Sequence, residues 1–507
     1  MSYIVRQRIK GQIYLYEATA YWDSPTKKAK QKRRYLGKEG KDGKPIKPRE
    51  VFRLRSVKTL GTPHVLNVLA ERCGLTAELT SLFGDRHRDI LNLLFFKIIT
   101  GDPYYLFRHW AEGVELFGGA PLSSQEISRL TRWLGQEEEL HTQFFRHWCQ
   151  RHHKTGVLIF DITSLSSYAK LNDWLAWGYN RNGEQLPQIN VGAIISQDLG
   201  LPLAYTLYQG SIPDVVTLKN VVTLTRSFGF KSFLYVLDRG FYSAANVRNL
   251  VAQELDFIVP LPFSTKQATI LVEQTKEQLE KASNAFRFGD RLLYHHCTTA
   301  TIDKLTLHAH VLLSVERQKL ELASLMFKLE EIETRCRLLK SKKTIEEFFE
   351  QHAAPYRKFF TLNKVHLSRH EAPIATAISH FGKMILLTTK PNLTKYQILE
   401  HYSKRDMVEK YFAQMKTELG DHRLRASERT TFSGRLFLTY LALILRTFLA
   451  SAVQQSKDLK HYSLPEIFAQ LNLIRVVSGN SEAYITEIAK LQRTILTALN
   501  VPIPTGS

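Results

Sequence analysis

Between residues 157 and 262, apolar and amphipathic runs alternate in an order that few folds accept. A short apolar run, Val157 to Phe160, ends in Asp161 within GVLIFDITSLSSY. Two strand-like runs follow, INVGAIIS and LPLAYTLYQG, separated by the turn Gln197-Asp198-Leu199-Gly200. Residues 215–228, VVTLKNVVTLTRSF, carry helical spacing. FLYVLD is a buried-type strand ending at Asp238 in DRGFY, and the helix SAANVRNLVAQE leads to the strand DFIVPLP. Strand, strand, strand, helix, strand, helix, strand predicts an α/β fold with a mixed sheet. It also sets two carboxylates, Asp161 and Asp238, each at a strand end and 77 residues apart. Taken singly, either is ordinarily a turn or cap residue.

A second stretch carries the chemistry further. Residues 402–416 read YSKRDMVEKYFAQMK, with Tyr402, Arg405, Glu409 and Lys416 at steps of three, four and seven. At about 100° per residue these four fall within roughly a 60° arc of one helix face. The window lacks Gly and Pro, and its Lys, Glu, Gln, Met and Ala residues favour helix, so a single helix is predicted. Glu400 and Glu418 fall on roughly the opposite face, which singles out Glu409. For any one charged residue the plain alternative is a solvated helix joined by Glu–Lys and Arg–Glu pairs. The four together, at typical residue frequencies, arise by chance in fewer than about one in a hundred chains of this size.

The spacing Y-x2-R-x3-E-x6-K, with the D-x-T at 161–163 and the DRGFY at 238–242, resembles the signature of a large group of bacterial insertion-sequence transposases. These are DDE enzymes with a ribonuclease-H-like core. The resemblance covers roughly residues 155–262 and 384–450. It implies that the first and fourth strands are neighbours, and that Asp161, Asp238 and Glu409 are catalytic and hold two Mg²⁺ ions, with Mn²⁺ able to substitute. It further implies that Tyr402, Arg405 and Lys416, with Arg239 beside the second Asp, grip DNA. The implied partners are double-stranded DNA at the transposon ends, target DNA, and a second copy of the chain in a synaptic complex.

Glu409 comes 171 residues after Asp238, so residues 263–383 are expected to be largely an insertion, partly β (FRFGDRLLYHH, LTLHAHVLLSV) and partly a long charged helix from Glu316 to about Glu350. Related transposases carry a β-rich insertion here, and some use a Trp in it to hold a flipped base. This insertion has no Trp, leaving Phe286, Phe288 or Tyr294 to stack instead. GKMILLTT, 382–389, reads as the return strand into the core, and residues 384–455 as its second part.

The rest of the chain reads as nucleic-acid binding and support. Net charge is +21 with pI near 9.6, which points to a polyanion partner. Residues 1–60 hold ten Lys and seven Arg against five acids, +12 of the total. There a basic β meander, residues 3–36, interleaves Arg33 and Arg34 with Tyr and Trp, and 37–50 read as a linker. Residues 61–152 read as all-helical, with a helix capped at Ser123 or Ser124 and showing Arg129 and Arg132 outward, which suits either a recognition helix or an ordinary amphipathic one. HRLRASERT adds Arg423, Arg425 and Arg429, an apolar helix spans Leu436 to Val453, and residues 456–507 suggest two amphipathic helices that complete the core or form a dimer contact.

Four distant cysteines without a CxxC argue against a zinc site or disulfide scaffold and fit a reducing cytoplasm, and the resemblance to insertion-sequence transposases implies a bacterial one, with the chain at the nucleoid. The apolar run Leu436–Leu445 is too short to span a bilayer, no apolar signal region opens the chain, and no GxxxxGK[ST] loop asks for a nucleotide. The function expected is DNA strand cleavage and joining. The alternatives are a structure-selective, metal-dependent nuclease that does not join, and a non-catalytic DNA-binding protein derived from a transposase.

Overall fold

A computed structural model describes residues 2–46, 54–152, 156–169, 172–178, 185–212, 214–229, 233–420, 426–480 and 482–505. The chain divides into a unit of residues 1–58 with 475–487 and 505–507, and a unit of residues 59–474 with 488–504.

In the first unit the predicted meander is three long antiparallel strands, β1 (Ser2–Ile9), β2 (Gln12–Asp23) and β3 (Lys28–Glu39). Lys10 and Gly11 both take positive φ (48° and 83°), as a two-residue turn matched to strand twist requires. Leu15 and Ala18 are buried, the rings of Tyr14 and Tyr16 meet Tyr35, and most of β3 is exposed. The expected linker differs from the structure in its first part: β4 (Pro45–Ile46) folds back on Lys38 and Glu39. Residues 47–53 lie outside the described residues. A short β5 (Ser56–Thr59) joins a hairpin from residues 475–487. That part of the tail was expected to be helical, but Val476 and Val477 pair as strand, as β-branched residues favour.

In the second unit six helices come first: α1 (Gly61–Arg72), α2 (Leu75–Phe83), α3 (His87–Thr100), α4 (Phe107–Glu112), α5 (Ser124–Gln136) and α6 (Glu138–His152). Ser123 caps α5 in a capping box with Glu126. The core then runs β6 (Val157–Ser166), β7 (Gln188–Ser196), β8 (Pro202–Gln209), α7 (Asp214–Ser227), β9 (Leu234–Leu237), α8 (Ala244–Ala252) and β10 (Asp256–Pro260), in the order read from the sequence. Residues 263–383 contribute α9 (Lys266–Leu279), β11 (Ala285–Phe288), β12 (Arg291–Ile302), β13 (Leu305–Ser314), α10 (Val315–Arg337), α11 (Lys342–Phe348), the hairpin β14 (Phe360–Asn363) and β15 (His366–Arg369), and α12 (Glu371–His380). The long charged helix is thus two: α10 ends at Arg337, and Ser341 starts α11 by accepting from the Thr344 N–H. Then come β16 (Lys383–Thr388), α13 (Lys395–Ser403), α14 (Asp406–Ala413), α15 (Arg429–Gln455) and α16 (Leu464–Leu471).

One nine-stranded mixed sheet organises this unit, ordered β11-β12-β13-β16-β10-β9-β6-β7-β8. β9 is parallel to both β6 and β10, while the other pairings are antiparallel. Three strands from residues 263–383 therefore extend the same sheet through β16, and the helices that follow them close on their own core of Leu329, Ile332, Ile345 and Phe349. The helix α15 is long and apolar enough to cross a membrane, yet 72% of its most apolar window is buried inside the protein. It crosses α5 with glycine on both sides: a Cβ at Gly135 would run into the Thr430 carbonyl, and one at Gly434 into the Thr131 carbonyl. Trp148 of α6 and Tyr440 of α15 both donate to the Pro202 carbonyl at the start of β8, which anchors both helices to the sheet.

Candidate active site

The parallel pairing of β6 with β9 sets the site. Phe160 stands opposite Leu237, so one residue further along both segments Asp161 stands beside Asp238. Asp161 is not at a strand end, as the apolar run suggested. β6 continues to Ser166 because residues 162–166 pair with β7, from Ile162↔Gly192 to Ser166↔Gln188. It is β9 that stops, and Asp238 opens a short turn, Arg239–Phe241, anchored by Phe241 against the Phe160 ring. Asp161 is buried, with Oδ1 accepting from the Ile162 N–H at 2.8 Å, whereas Asp238 is half-exposed.

Glu409 arrives on a broken element rather than one helix. A Thr394 capping box starts α13, which ends at Ser403, and α14 starts at Asp406. At the break the chain is engaged by the buried Gln197, in the turn between β7 and β8. Its Nε2 donates to the His401 carbonyl at 2.7 Å, and its Oε1 meets His401 Nδ1 at 2.6 Å. That carbonyl is the acceptor a continuing helix would offer to the Arg405 N–H. The Arg405 N–H turns instead to the Tyr402 carbonyl. After Ala413 comes a second departure, a π-turn over Gln414–Glu418.

Arg405 gathers what these elements present. Its Nη1 lies 3.3 Å from Asp238 Oδ1 and 4.0 Å from Asp161 Oδ2, and its Nη2 lies 2.9 Å from Glu409 Oε1. Burial opposes the Arg405 charge, but Asp238, Tyr402, Glu409 and Asp161 outweigh it, so its pKa is raised. The guanidinium sits 5.8 Å from the Tyr402 ring centroid. Burial, against the pull of Arg405, pushes the Tyr402 phenol up to about 12, so it stays a hydrogen-bond donor at any pH where DNA is handled. Lys416, on the π-turn, donates from Nζ to Thr163 Oγ1 at 2.7 Å. Glu400 and Glu418 are engaged elsewhere, with Lys404 and Arg446.

Tyr402, Arg405, Glu409, Lys416, Asp161 and Asp238 thus meet where β9 ends beside β6, with exposed Arg239 next in the chain to Asp238. Arg129 and Arg132 lie exposed on α5, where Arg132 pairs with Glu428 at 3.2 Å. Arg33 and Arg34 belong to the other unit, exposed on β3, and Arg34 stands 3.5 Å from Glu17. Arg423 and Arg425 lie outside the described residues. Phe286 is buried, edge-on to Tyr396 with Lys395 over its face, so it cannot take a base. Two residues of the site had no assigned role in the sequence. Thr163 was signalled by the D-x-T spacing, because residues two apart on a strand share a face. Gln197 gave no signal beyond its turn.

Among the described residues, no three His, Cys, Asp or Glu side chains stand close enough to hold an ion as placed. The chemistry of the donor set fits one nonetheless. All three carboxylates contact a single cationic group, Arg405, and oxygen-only donors suit a hard divalent cation.

The family model of the transposase DDE domain matches residues 152–445. No curated protein matches the chain. Among solved structures it is similar to piggyBac transposase in a cryo-EM synaptic complex with hairpin DNA, at 10% identity over 80% of this chain and 70% of that one, with a TM-score of 0.35.

Proposed function

The chain belongs to the transposase DDE domain family, and from that premise we propose that it moves a bacterial insertion sequence, cutting DNA at the element's ends and joining the freed 3′-OH to target DNA. Asp161, Asp238 and Glu409 would hold two divalent cations, Mg²⁺ with Mn²⁺ as a substitute. When bound, such a pair activates the attacking oxygen and stabilises the leaving one. The observation that carries this reading is the β6–β9 register, which puts Asp161 beside Asp238, together with Arg405 touching both and Glu409. The strand order β8-β7-β6-β9-β10 supports a ribonuclease-H-like core. Tyr402 keeps its phenol proton and can donate to a phosphate oxygen. Arg405, Lys416 and Arg239 bring positive charge to the same site, suited to the phosphates on either side of the cleaved bond. The exposed basic strand with Arg33 and Arg34, and α5 with Arg129 and Arg132, would hold flanking DNA, and two copies would bring two ends together.

The test is cleavage and joining on the DNA ends of the element that encodes the chain. Asp161→Ala, Asp238→Ala and Glu409→Ala are each expected to abolish cleavage with DNA binding largely kept. Near-normal cleavage by any of them removes that residue from the site. Cleavage without joined product identifies a nuclease, and no nicking by the parent with either ion identifies a DNA-binding derivative.

A further inference from the structure

We propose that Thr163 is a positioning residue for Lys416, fixing its ammonium against β6 before DNA arrives. The inference rests on the proposed function, in which Lys416 grips a phosphate at the cleavage site. Three independent features converge on it. Asp161 and Thr163 are two apart on β6, so both project from one face of the strand. Thr163 is buried, and its Oγ1 accepts from Lys416 Nζ at 2.7 Å. The π-turn Gln414–Glu418, directly after the helix of Glu409, is the device that aims the lysine. A π-turn takes up about one extra residue, rotating the later residues by roughly 100° relative to a continuing α-helix, and such turns gather at functional sites.

The chemistry explains why a hydroxyl stands there. An ammonium has three donors and no acceptor, and a Thr hydroxyl can accept one of them without neutralising the charge. A carboxylate in that place would bind the lysine more strongly and withhold it from phosphate. Lys416 is half-buried, and the Thr163 hydroxyl holds its ammonium at β6. A lysine stem otherwise samples many rotamers, and ordering it before the substrate binds removes that cost from the reaction. A threonine that merely filled space would need no such match between strand face, π-turn and ammonium.

The test uses the full chain with end DNA, reading cleavage rate, melting temperature and the salt dependence of DNA affinity for Thr163→Val, Thr163→Ser, Lys416→Met and Thr163→Val/Lys416→Met. Val keeps the shape and β-branching of Thr but has no hydroxyl. The expected result is a loss of about tenfold in cleavage for Thr163→Val at an unchanged melting temperature, recovery with Thr163→Ser, and no further loss when Thr163→Val is added to Lys416→Met. Parental cleavage by Thr163→Val, a loss that persists undiminished on the Lys416→Met background, or a loss that tracks a lowered melting temperature each overturns the proposal. Should Val itself unfold the chain, Thr163→Ala poses the same question. Parental cleavage and an unchanged salt slope for Lys416→Met alone would refute the phosphate role of Lys416, a failure distinct from that of Thr163.

Discussion

Arg405 is held by three carboxylates, and this decides how it should behave when removed. Its side chain is 18% exposed and that of Asp161 only 6%, so the Arg405 contact with Asp161 is largely withdrawn from water, whereas Asp238 is a third exposed and Glu409 more than half. Arg405→Ala removes a positive charge that Asp161, Asp238 and Glu409 share, and a cost of about 1–3 kcal/mol is expected in chelator. Because a divalent ion would neutralise the same carboxylates, Mg²⁺ is expected to raise the melting temperature of Arg405→Ala by more than it raises that of the parent. Melting with EDTA and with Mg²⁺ checks this, and equal gains would mean that ion and guanidinium do not share the site. A plain helix pair, Arg405 with Glu409 alone, would cost only about 0.3–0.5 kcal/mol.

The elements that carry the site are shaped by packing. Gln197 interrupts the helix at His401, so Gln197→Leu, which removes both of its hydrogen bonds, is expected to slow cleavage while the chain remains folded, read by cleavage rate beside circular dichroism. Unaltered cleavage would show that the break between α13 and α14 is sustained without it. At the α5–α15 crossing, Gly434→Ala forces a methyl against the Thr131 carbonyl, and a loss of about 1–3 kcal/mol is expected in urea unfolding. Nearby His141 stacks on Phe437 at 3.9 Å between ring centroids, and burial lowers its pKa to about 4. The unfolded chain takes up this proton from about pH 6.5 downward and the folded chain only near 4. Stability therefore falls as pH drops through that window, by up to about 1.4 kcal/mol per pH unit from this one group. His141→Phe should flatten the acid limb of the stability curve, and an unchanged limb would mean that His141 is protonated in place.

For the whole molecule, charge is unevenly placed. Of the net +21, +12 lies in the first 60 residues, and β3 presents its basic residues to solvent. Some are spoken for: Arg34 faces Glu17, Lys30 pairs with Asp23 and Arg6 with Glu39. Lys32 and Arg33 are exposed on the same strand, so Lys32→Ala/Arg33→Ala in the full chain is expected to weaken end-DNA binding and to reduce the slope of log affinity against log salt by up to about 2. An unchanged slope would mean that this strand does not meet phosphates.

Period and composition were enough to read the order of strands and helices in the core, because half-buried strands and amphipathic helices write their burial into every second or third to fourth residue. Helical spacing set Glu409 apart by placing it on one face with Tyr402, Arg405 and Lys416, whereas Asp161 and Asp238, each an ordinary turn or cap residue taken singly, were picked out by the resemblance of the D-x-T and DRGFY stretches to a transposase signature. Three things were decided only in the folded chain. β6 runs past Asp161 because β7 supplies partners for residues 162–166, a pairing no local pattern encodes. Residues 402–416 have every propensity for a single helix, yet the helix breaks where Gln197, more than 200 residues earlier, hydrogen-bonds the His401 carbonyl and the Arg405 N–H turns to Tyr402. Lys416 meets Thr163 through the π-turn, not through the even spacing that first grouped it with Glu409. A side-chain hydrogen bond between distant segments costs the sequence a single residue and leaves no periodic trace, so it becomes visible only once the sheet has brought its partners together.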